Sequence, residues 1–444
     1  MKRFLSLALC LTLLFSLSAA RAERDAIPKA LLFTQETTAR DYVRDKQYVQ
    51  LTYPKTANKQ VDKEIRALED EMAKRGKPYL PKGRIEVAPS YLDVSSTIFR
   101  TGSQWMSFLT IARIDYEREQ VYVDFDARVF DMESGDRLRL GELFDEDSEA
   151  WPLLQSEVRR QLTDYFVTLS PDSAALDALC TREAIENTPF TLTPAKLELH
   201  YRADQLYPGK NTLMHVKLYY SQLRPLMNEK GKTVTDNSNY KMIALTYDDG
   251  GGLGASTNVL NTLQKFGANA TFFIVGTMMG KNHHVMCRQH DAGYAMASHN
   301  WEHVYENLTA DNIFAWKEKF DRNMDQIVGI HPTYMRAPGG HYQAFINAGV
   351  GMSLIQWDVI SGDAGSDDVG KIAANVKNGI HEGAIVLMHD INPKAYAYTE
   401  TILEELTNRN YLCVTVDEMF DHYGVTMEPN QMYISCRDEA AALP

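Results

Sequence analysis

Near the middle of the chain stands Met242-Ile243-Ala244-Leu245-Thr246-Tyr247-Asp248-Asp249-Gly250, a short apolar run that ends in two carboxylates and a glycine. A run of this kind, bounded by turn residues, is typical of a buried strand. Residues from about Ser256 to Phe266 then have helical spacing, and a second apolar run follows over Ala270–Val275. A strand, a helix and another strand in this order predict parallel pairing through a right-handed crossover.

The same alternation continues along the C-terminal half of the chain. It predicts further helices over Val285–Ala292 and Asp311–Val328, and further strands over Tyr294–Ala297, Thr333–Met335, Met352–Trp357, Ala384–Met388 and Tyr411–Val416. About seven such units predict an α/β fold, an incomplete or distorted (β/α)7 barrel over residues 241–425. Because active sites in such folds lie where the strands end, the residues after each apolar run are the candidates for chemistry.

Residues 29–228 follow a different pattern. Segments such as Lys196–Tyr201 alternate apolar and polar residues, which predicts half-buried strands, whereas Asp147–Phe166 has helical spacing. We therefore expect a smaller α+β domain, built from antiparallel hairpins with a helix against one face. Residues 229–240 are polar and turn-rich and predict a linker, and residues 426–444 are interpreted as a C-terminal tail.

The first residues have the pattern of an export signal. Two basic residues precede an apolar stretch from Phe4 to about Ala20, and Ala20-Arg21-Ala22 has the small-x-small form of a cleavage site. This predicts a signal peptide over residues 1–22, with an uncleaved membrane anchor as the alternative. We therefore expect a secreted or wall-associated protein, with no membrane span left after cleavage.

The composition of the 444 residues, 44% hydrophobic and 24% charged, is that of a folded globular protein. The formal charge of −13 argues against a nucleic-acid partner, because phosphate binding needs a surplus of basic side chains on some face. Four cysteines follow the predicted signal, an even count that permits two disulfides in an exported protein, and buried thiols are the alternative. They are Cys180, Cys287, Cys413 and Cys436.

Two strand ends carry residues that could bind a metal ion. Asp248 and Asp249 are adjacent carboxylates whose repulsion a cation or a shared proton would relieve, although surface turns rich in Asp and Gly are common. His299 and His303 are four residues apart and would face the same way on a helical turn. Two histidines and one aspartate supply three ligands and leave a position for water, as catalytic zinc sites require.

Two more strand ends carry polar side chains. Arg336 precedes the turn Pro338-Gly339-Gly340, whose backbone N–H groups could meet an oxyanion, and a structural ion pair is the alternative role for this arginine. His389 follows a later strand as a candidate acid or base. Each feature alone is ambiguous, but the barrel would gather all of them at one mouth. The joint pattern predicts an active site there.

Together these motifs resemble the polysaccharide deacetylase family, also called NodB-homology or carbohydrate esterase family four, over about residues 240–425. The resemblance implies a metal-dependent hydrolase with a base, three metal ligands, an arginine that orients the base, an acid with a paired aspartate, and three substrate-binding residues. The implied base is Asp248, and the implied metal ligands are Asp249, His299 and His303. Arg336 would orient the base, and His389 would be the acid, paired with Asp363. The implied substrate-binding residues are Gly339, Leu387 and Trp357. The ligand types favour zinc, with cobalt or manganese as alternatives.

The fourth motif, Trp357-Asp358-Val359-Ile360-Ser361-Gly362-Asp363-Ala364, departs from the family pattern. Ile360 stands where an aspartate is usual, and Ala364 stands where a tryptophan is usual. Loss of the tryptophan removes a wall of the groove, which affects sugar specificity more than chemistry. Asn300 also replaces the customary serine or threonine, and Gly251 stands where a proline often follows the first motif.

The N-terminal domain, through segments such as Phe190–Thr193 and Leu206–Asn211, is similar to a domain that precedes peptidoglycan deacetylases and occurs in cell-surface proteins that sense lysozyme. This resemblance favours an N-acetylated cell-wall glycan, peptidoglycan, as substrate and leaves room for a protein ligand of that domain. Two alternatives stay open. One is an O-acetyl esterase acting on xylan or another glycan, and the other is a non-catalytic wall-binding or lysozyme-sensing protein.

Overall fold

The computed structural model describes residues 27–37, 41–44, 47–81, 90–250 and 254–436. The predicted signal peptide over residues 1–22, Gly251, and residues 437–444 of the predicted tail lie outside these ranges. None of the helices within them combines the length and the hydropathy that a membrane crossing requires.

The part of the N-terminal domain that the structure describes begins with a seven-stranded sheet. Its strands are β1 (Phe33–Thr37), β2 (Asp41–Arg44), β3 (Gln47–Thr56), β4 (Ser90–Thr101), β5 (Trp105–Tyr116), β6 (Glu119–Asp131) and β7 (Arg137–Leu138). Helix α1 (Lys59–Gly76) connects β3 to β4, so these two strands run parallel, whereas the other neighbouring pairs are antiparallel. The predicted antiparallel hairpins therefore describe most of this sheet, and the crossover helix explains the exception.

A second sheet of this domain has three antiparallel strands, β8 (Phe190–Leu192), β9 (Lys196–Arg202) and β10 (Leu213–Tyr219). Helices α2 (Ala150–Thr163), α3 (Ser173–Leu179) and α4 (Arg182–Glu186) precede it. The prediction that β9 is half-buried is wrong, because its polar side chains Lys196, Glu198 and His200 are buried as well. That polar face packs against the C-terminal domain, where Lys196 Nζ lies 3.4 Å from a carboxylate oxygen of Glu418.

Two short helices, α5 (Tyr220–Leu223) and α6 (Glu229–Val234), lead from β10 towards the barrel. Helix α6 lies inside the predicted linker and begins after Asn228, whose side chain accepts a hydrogen bond from the Gly231 N–H at 2.9 Å. Val234 is buried, so this part of the predicted linker is folded and packed.

Within the described residues, the C-terminal domain is built on nine parallel strands. They are β11 (Lys241–Asp249), β12 (Thr271–Ile274), β13 (Ala295–Ser298), β14 (Tyr334–Met335), β15 (Ser353–Ile355), β16 (Val359–Ile360), β17 (Ile385–His389), β18 (Tyr411–Val414) and β19 (Met432–Tyr433). Their order is β16-β17-β11-β12-β13-β14-β15-β19, and β18 pairs with the first half of β11 while β17 pairs with the second half. This curled sheet is the incomplete barrel that the sequence predicts.

Helices cover the outside of the barrel and alternate with its strands. They are α7 (Ala255–Phe266), α8 (His283–Asp291), α9 (Ala310–Val328), α10 (Tyr342–Ala348), α11 (Val369–Gly379), α12 (Ala395–Asn408) and α13 (Val416–His422). Apolar side chains of α7 and α12 pack with Leu245 and Tyr247 of β11 in one core. Because the strands are parallel, their carboxyl ends meet at one rim of the sheet.

The sheet continues past the boundary that the sequence predicts at residue 425. Strand β19 lies in the predicted tail and pairs in parallel with β15 through Leu354–Met432 and Ile355–Tyr433. A two-residue strand carries too little hydrophobic pattern to be recognised in a sequence. Nearby, Cys436 is buried, and all four cysteines of the described residues are free thiols. The buried-thiol alternative therefore describes the structure.

Candidate active site

The two carboxylates at the end of β11 have different surroundings because the backbone changes conformation between them. Asp248 is only 3% exposed and pairs in register with His389 of β17. Asp249 has φ +85°, in the left-handed region that side chains other than glycine seldom adopt. Its Oδ1 lies 3.8 Å from Nε2 of His299 and 3.6 Å from Nε2 of His303. Backbone strain of this kind costs about 1–3 kcal/mol and clusters at functional sites.

His299 and His303 reach Asp249 from a loop. The predicted helical turn is wrong, because residues 299–303 are not helical and Asn300 has φ +64°. The left-handed residue redirects the chain after β13, and Asn300 Nδ2 donates to the Glu302 carbonyl at 3.0 Å. Asparagine tolerates this conformation better than β-branched threonine does, which is a physical reason for Asn300 at this position.

The geometry of Asp249, His299 and His303 fits a divalent metal ion. One ligand atom of each lies within 4.8 Å of the others. His299 Nδ1 is 2.8 Å from the Arg336 carbonyl oxygen, so Nδ1–H donates there and the lone pair of Nε2 is left for a metal. Burial lowers the pKa of His299, which keeps its ring neutral and able to ligate. Two imidazoles and one carboxylate leave an open position, as in catalytic sites of zinc and related ions.

Arg336 is fully buried and holds Asp248 in place. Its Nη1 donates to Asp248 Oδ1 at 2.7 Å and to Thr246 Oγ1 at 2.8 Å. The remaining nitrogens donate to backbone carbonyls at 3.0 Å, and the guanidinium lies 4.1 Å from the centroid of the Phe273 ring. All three guanidinium nitrogens of Arg336 therefore have hydrogen-bond acceptors, and one face of the group contacts an aromatic ring. The second oxygen of Asp248 is left facing the histidine cluster, 3.7 Å from His299 Nε2.

His389, at the end of β17, is held by Asp363. Its Nδ1 lies 2.9 Å from Oδ1 of Asp363, and its backbone N–H donates to Oδ2 at 2.7 Å. Burial alone would lower the pKa of His389, but the hydrogen bond and charge of Asp363 raise it to about 9. The imidazole is therefore protonated at neutral pH, as a general acid must be.

Asp363 is itself fixed by two hydroxyl groups. Ser361 Oγ donates to its Oδ1 at 2.8 Å, and the hydroxyl of Tyr398 donates to its Oδ2 at 2.7 Å. Burial opposes ionisation of the carboxyl, but the hydrogen bonds from His389, Tyr398 and Ser361 lower the pKa of Asp363. Ser361 lies in the fourth sequence motif, whereas Tyr398 comes from α12, where nothing in the sequence marks it.

The predicted substrate-binding residues surround the same rim. Leu387 is buried and pairs in register with Thr246 and with Ile360, while the Trp357 ring lies 5.5 Å from the Arg336 guanidinium. Gly339 has φ +60° and an exposed backbone. A Cβ at that glycine would lie 3.0 Å from the ring of Tyr305, so the ring covers the turn closely.

Sequence reasoning missed an aromatic pair at the mouth. Tyr305 is 49% exposed, and its ring stacks on His341 with centroids 5.5 Å apart. It also meets the ring of the candidate ligand His303 edge-on at 5.4 Å. The signal that could have found Tyr305 is its place two residues after His303, in the same loop.

The structure thus brings the predicted site residues to one rim of one barrel, with a buried carboxylate and a protonated histidine beside an Asp-His-His cluster. This fold and this site define the class of protein as a hydrolase with a candidate metal centre. Residues 235–350 match the polysaccharide deacetylase family.

Several named proteins are similar to this chain. The peptidoglycan-N-acetylglucosamine deacetylase PgdA of Listeria monocytogenes is 27% identical over 318 residues, which are 70% of this chain and 67% of that protein. A bifunctional xylanase/deacetylase of Pseudobutyrivibrio xylanivorans is 27% identical over 241 residues, 53% of this chain and 39% of that protein. The solved structure of peptidoglycan deacetylase PdaC from Bacillus subtilis is 27% identical, with a TM-score of 0.40, and covers 41% of this chain and 92% of the solved chain.

Proposed function

We propose that this chain hydrolyses the N-acetyl groups of peptidoglycan sugars, outside the cytoplasm, to give a free amine and acetate. The observation that carries the proposal is the convergence of Asp249, His299 and His303 beside Asp248 and His389. The relative named a peptidoglycan-N-acetylglucosamine deacetylase, which matches 70% of the chain, supports the substrate class. The predicted export signal supports the location.

Asp248 is the proposed base. A divalent metal bound by Asp249, His299 and His303 would supply a water of lowered pKa and a positive charge for the acetyl carbonyl oxygen. Asp248 Oδ2 faces that cluster and can accept the proton of the attacking water, while Arg336 holds Oδ1. Zinc is the ion that we propose from the ligand types, with cobalt and manganese as the nearest alternatives.

His389 is the proposed acid. An amide nitrogen leaves poorly without a proton, and protonated His389 can donate one as the C–N bond breaks. Asp363 orients the ring through Nδ1, which turns Nε2 towards the substrate. The Gly339 N–H is the proposed second donor to the oxyanion, and Leu387 lines the proposed acetyl pocket.

Replacing Asp363 with asparagine is expected to move the alkaline limb of the pH–rate profile to lower pH. His389 acts in its protonated form, so activity is present below its pKa and lost as the pH rises through it. Without the charge of Asp363 that pKa falls, and the acid form is lost earlier. The measurement is kcat across about pH 5 to 10.

Asp358→Asn is the matched control for this change, because Asp358 pairs with His381 at 2.7 Å instead of with His389. The control is expected to keep the alkaline limb in place. An alkaline limb that stays fixed in Asp363→Asn would contradict the role of Asp363.

Tyr305 is the proposed sugar platform. Its exposed ring stands over the Gly339 turn, and pyranose rings pack their apolar faces on aromatic rings of this kind. We expect Tyr305→Ala to raise KM for glycan oligomers roughly 2- to 10-fold, with a smaller effect on kcat. Tyr79→Ala, an exposed tyrosine in the N-terminal domain, is the control that should leave KM unchanged. Equal KM values for the unchanged protein, Tyr305→Ala and Tyr79→Ala would show that Tyr305 does not bind the sugar.

Acetate release from a panel of glycans tests the proposed function. The panel contains peptidoglycan, N-acetylglucosamine oligomers and acetylated xylan, each with the full chain before and after chelation and after zinc is added back. We expect release from the first two substrates, loss on chelation and recovery with zinc. Release from none of the three by the zinc-loaded protein would refute catalysis.

An O-acetyl esterase is the second candidate function. The relative named a bifunctional xylanase/deacetylase supports it. An ester and an amide pass through tetrahedral oxyanion intermediates of the same kind, so the site itself does not separate them. Release confined to acetylated xylan in the same panel would favour this candidate.

A further inference from the structure

A second cluster of potential metal ligands lies where the N-terminal domain meets the barrel. Glu198 and His200 are two residues apart on β9 and therefore point to the same face of the sheet. His215 of β10 pairs with His200 in register. All three side chains are buried, with at most 3% exposure.

The three side chains are close enough to share an ion. One ligand atom of each lies within 4.8 Å of the others. The Nδ1 atoms of His200 and His215 share a hydrogen bond of 2.8 Å, which the ion would replace, and the opposite ring nitrogen of His200 lies 2.9 Å from Thr191 Oγ1. The contact with Thr191 fixes the His200 ring with Nδ1 towards the cluster, as outer hydrogen bonds do for metal-ligating histidines.

The carboxylate of Glu198 lacks hydrogen-bond partners. Among the described residues neither of its oxygens accepts a hydrogen bond, and its close polar contact is the ion pair with Lys196 Nζ at 3.1 Å. A buried carboxylate usually accepts several hydrogen bonds, so this one has acceptor capacity to spare.

The ion pair with Lys196 does not depend on Glu198 alone. Lys196 Nζ also lies 3.4 Å from a carboxylate oxygen of Glu418, so it can keep that partner if Glu198 turns to an ion.

We propose that Glu198, His200 and His215 form a second divalent metal site, of the zinc type, separate from the candidate active site. Two imidazole nitrogens and one carboxylate oxygen suit zinc in a buried site. The ion would link β9 to β10 on the face that packs against the barrel. This inference does not depend on the proposed hydrolysis.

Metal analysis of a full-length variant without the active-site ligands tests the site. The variant carries Asp249→Ala, His299→Ala and His303→Ala, is dialysed against zinc and then against buffer, and its zinc is counted by mass spectrometry. We expect about one zinc ion per chain, against about two in the unchanged protein. Adding Glu198→Gln or His215→Gln should remove the remaining ion.

His290→Gln is the matched control, because the His290 ring is a buried neighbour 5.0 Å from that of His215 but lies outside the ligand cluster. It should keep the zinc of the active-site variant. A folded active-site variant, by circular dichroism, that retains no zinc would overturn the proposal, and so would unchanged zinc after Glu198→Gln. The zinc content of the active-site variant tests the second site even if the Glu198 and His215 variants do not fold, because that variant keeps Glu198, His200 and His215.

Discussion

Replacing His389 with alanine is expected to lower kcat for N-acetylated glycan by about 10²- to 10⁴-fold, the range that loss of a positioned general acid produces. The structure supports this size of effect because Asp363 both orients the ring and keeps it protonated at neutral pH. An amine leaving group depends on that proton. The measurement is steady-state acetate release at neutral pH, with circular dichroism to establish that the variant is folded.

An activated ester separates proton donation from a general loss of structure. A phenolate leaves without protonation, so an aryl acetate does not need the acid. We expect His389→Ala to lose far less activity on the aryl acetate than on the N-acetyl substrate. Equal losses on both substrates would show that His389 acts in some way other than as a proton donor.

Replacing Asp248 with asparagine is expected to lower kcat by a similar factor, about 10²- to 10⁴-fold, while the protein keeps its metal. The amide oxygen of asparagine can still accept the hydrogen bond from Arg336 Nη1, but the side chain cannot take a proton from water. The metal should stay because the proposed ligands are other residues. The measurements are kcat and the zinc content of the same preparation.

Asp249→Asn is the informative comparison, since the two carboxylates are neighbours in the chain with different proposed roles. This variant is expected to lose both metal affinity and turnover, whereas Asp248→Asn loses turnover alone. If Asp248→Asn kept both its zinc and near-normal turnover, another group would have to be the base.

The barrel and the centre of its site could be predicted from the sequence because the candidate site residues directly follow the apolar runs that form the strands. The run from Met242 to Tyr247 is apolar enough to identify β11, and the polar residues after it cannot continue the core. The same reasoning placed His299, Arg336 and His389 at the ends of other strands. Parallel pairing then brings these ends to one rim, whatever the lengths of the loops between them.

Loop geometry and contacts between distant segments could not be predicted in this way. The spacing of His299 and His303 fits a helical turn, but the left-handed Asn300 produces a bend instead, and single-residue conformations leave no periodic signal. Tyr398 and His341 reach the site from helix α12 and from the turn before α10, so only tertiary packing places them there. The polar side chains of β9 suggest a solvent-facing surface until the barrel is seen to cover them.

The buried pairing of Lys196 with Glu418 also limits how the two domains can be exchanged during evolution. Lys196 belongs to the N-terminal domain and Glu418 to the barrel, and both side chains are fully buried. Removing one partner of a buried ion pair costs about 3–5 kcal/mol, a large part of the roughly 5–15 kcal/mol that stabilises a typical protein. A gene fusion that gave this barrel an N-terminal partner covering the same face without a cation would leave Glu418 buried and unpaired. Recombination is therefore expected to transmit the two domains as one inherited unit.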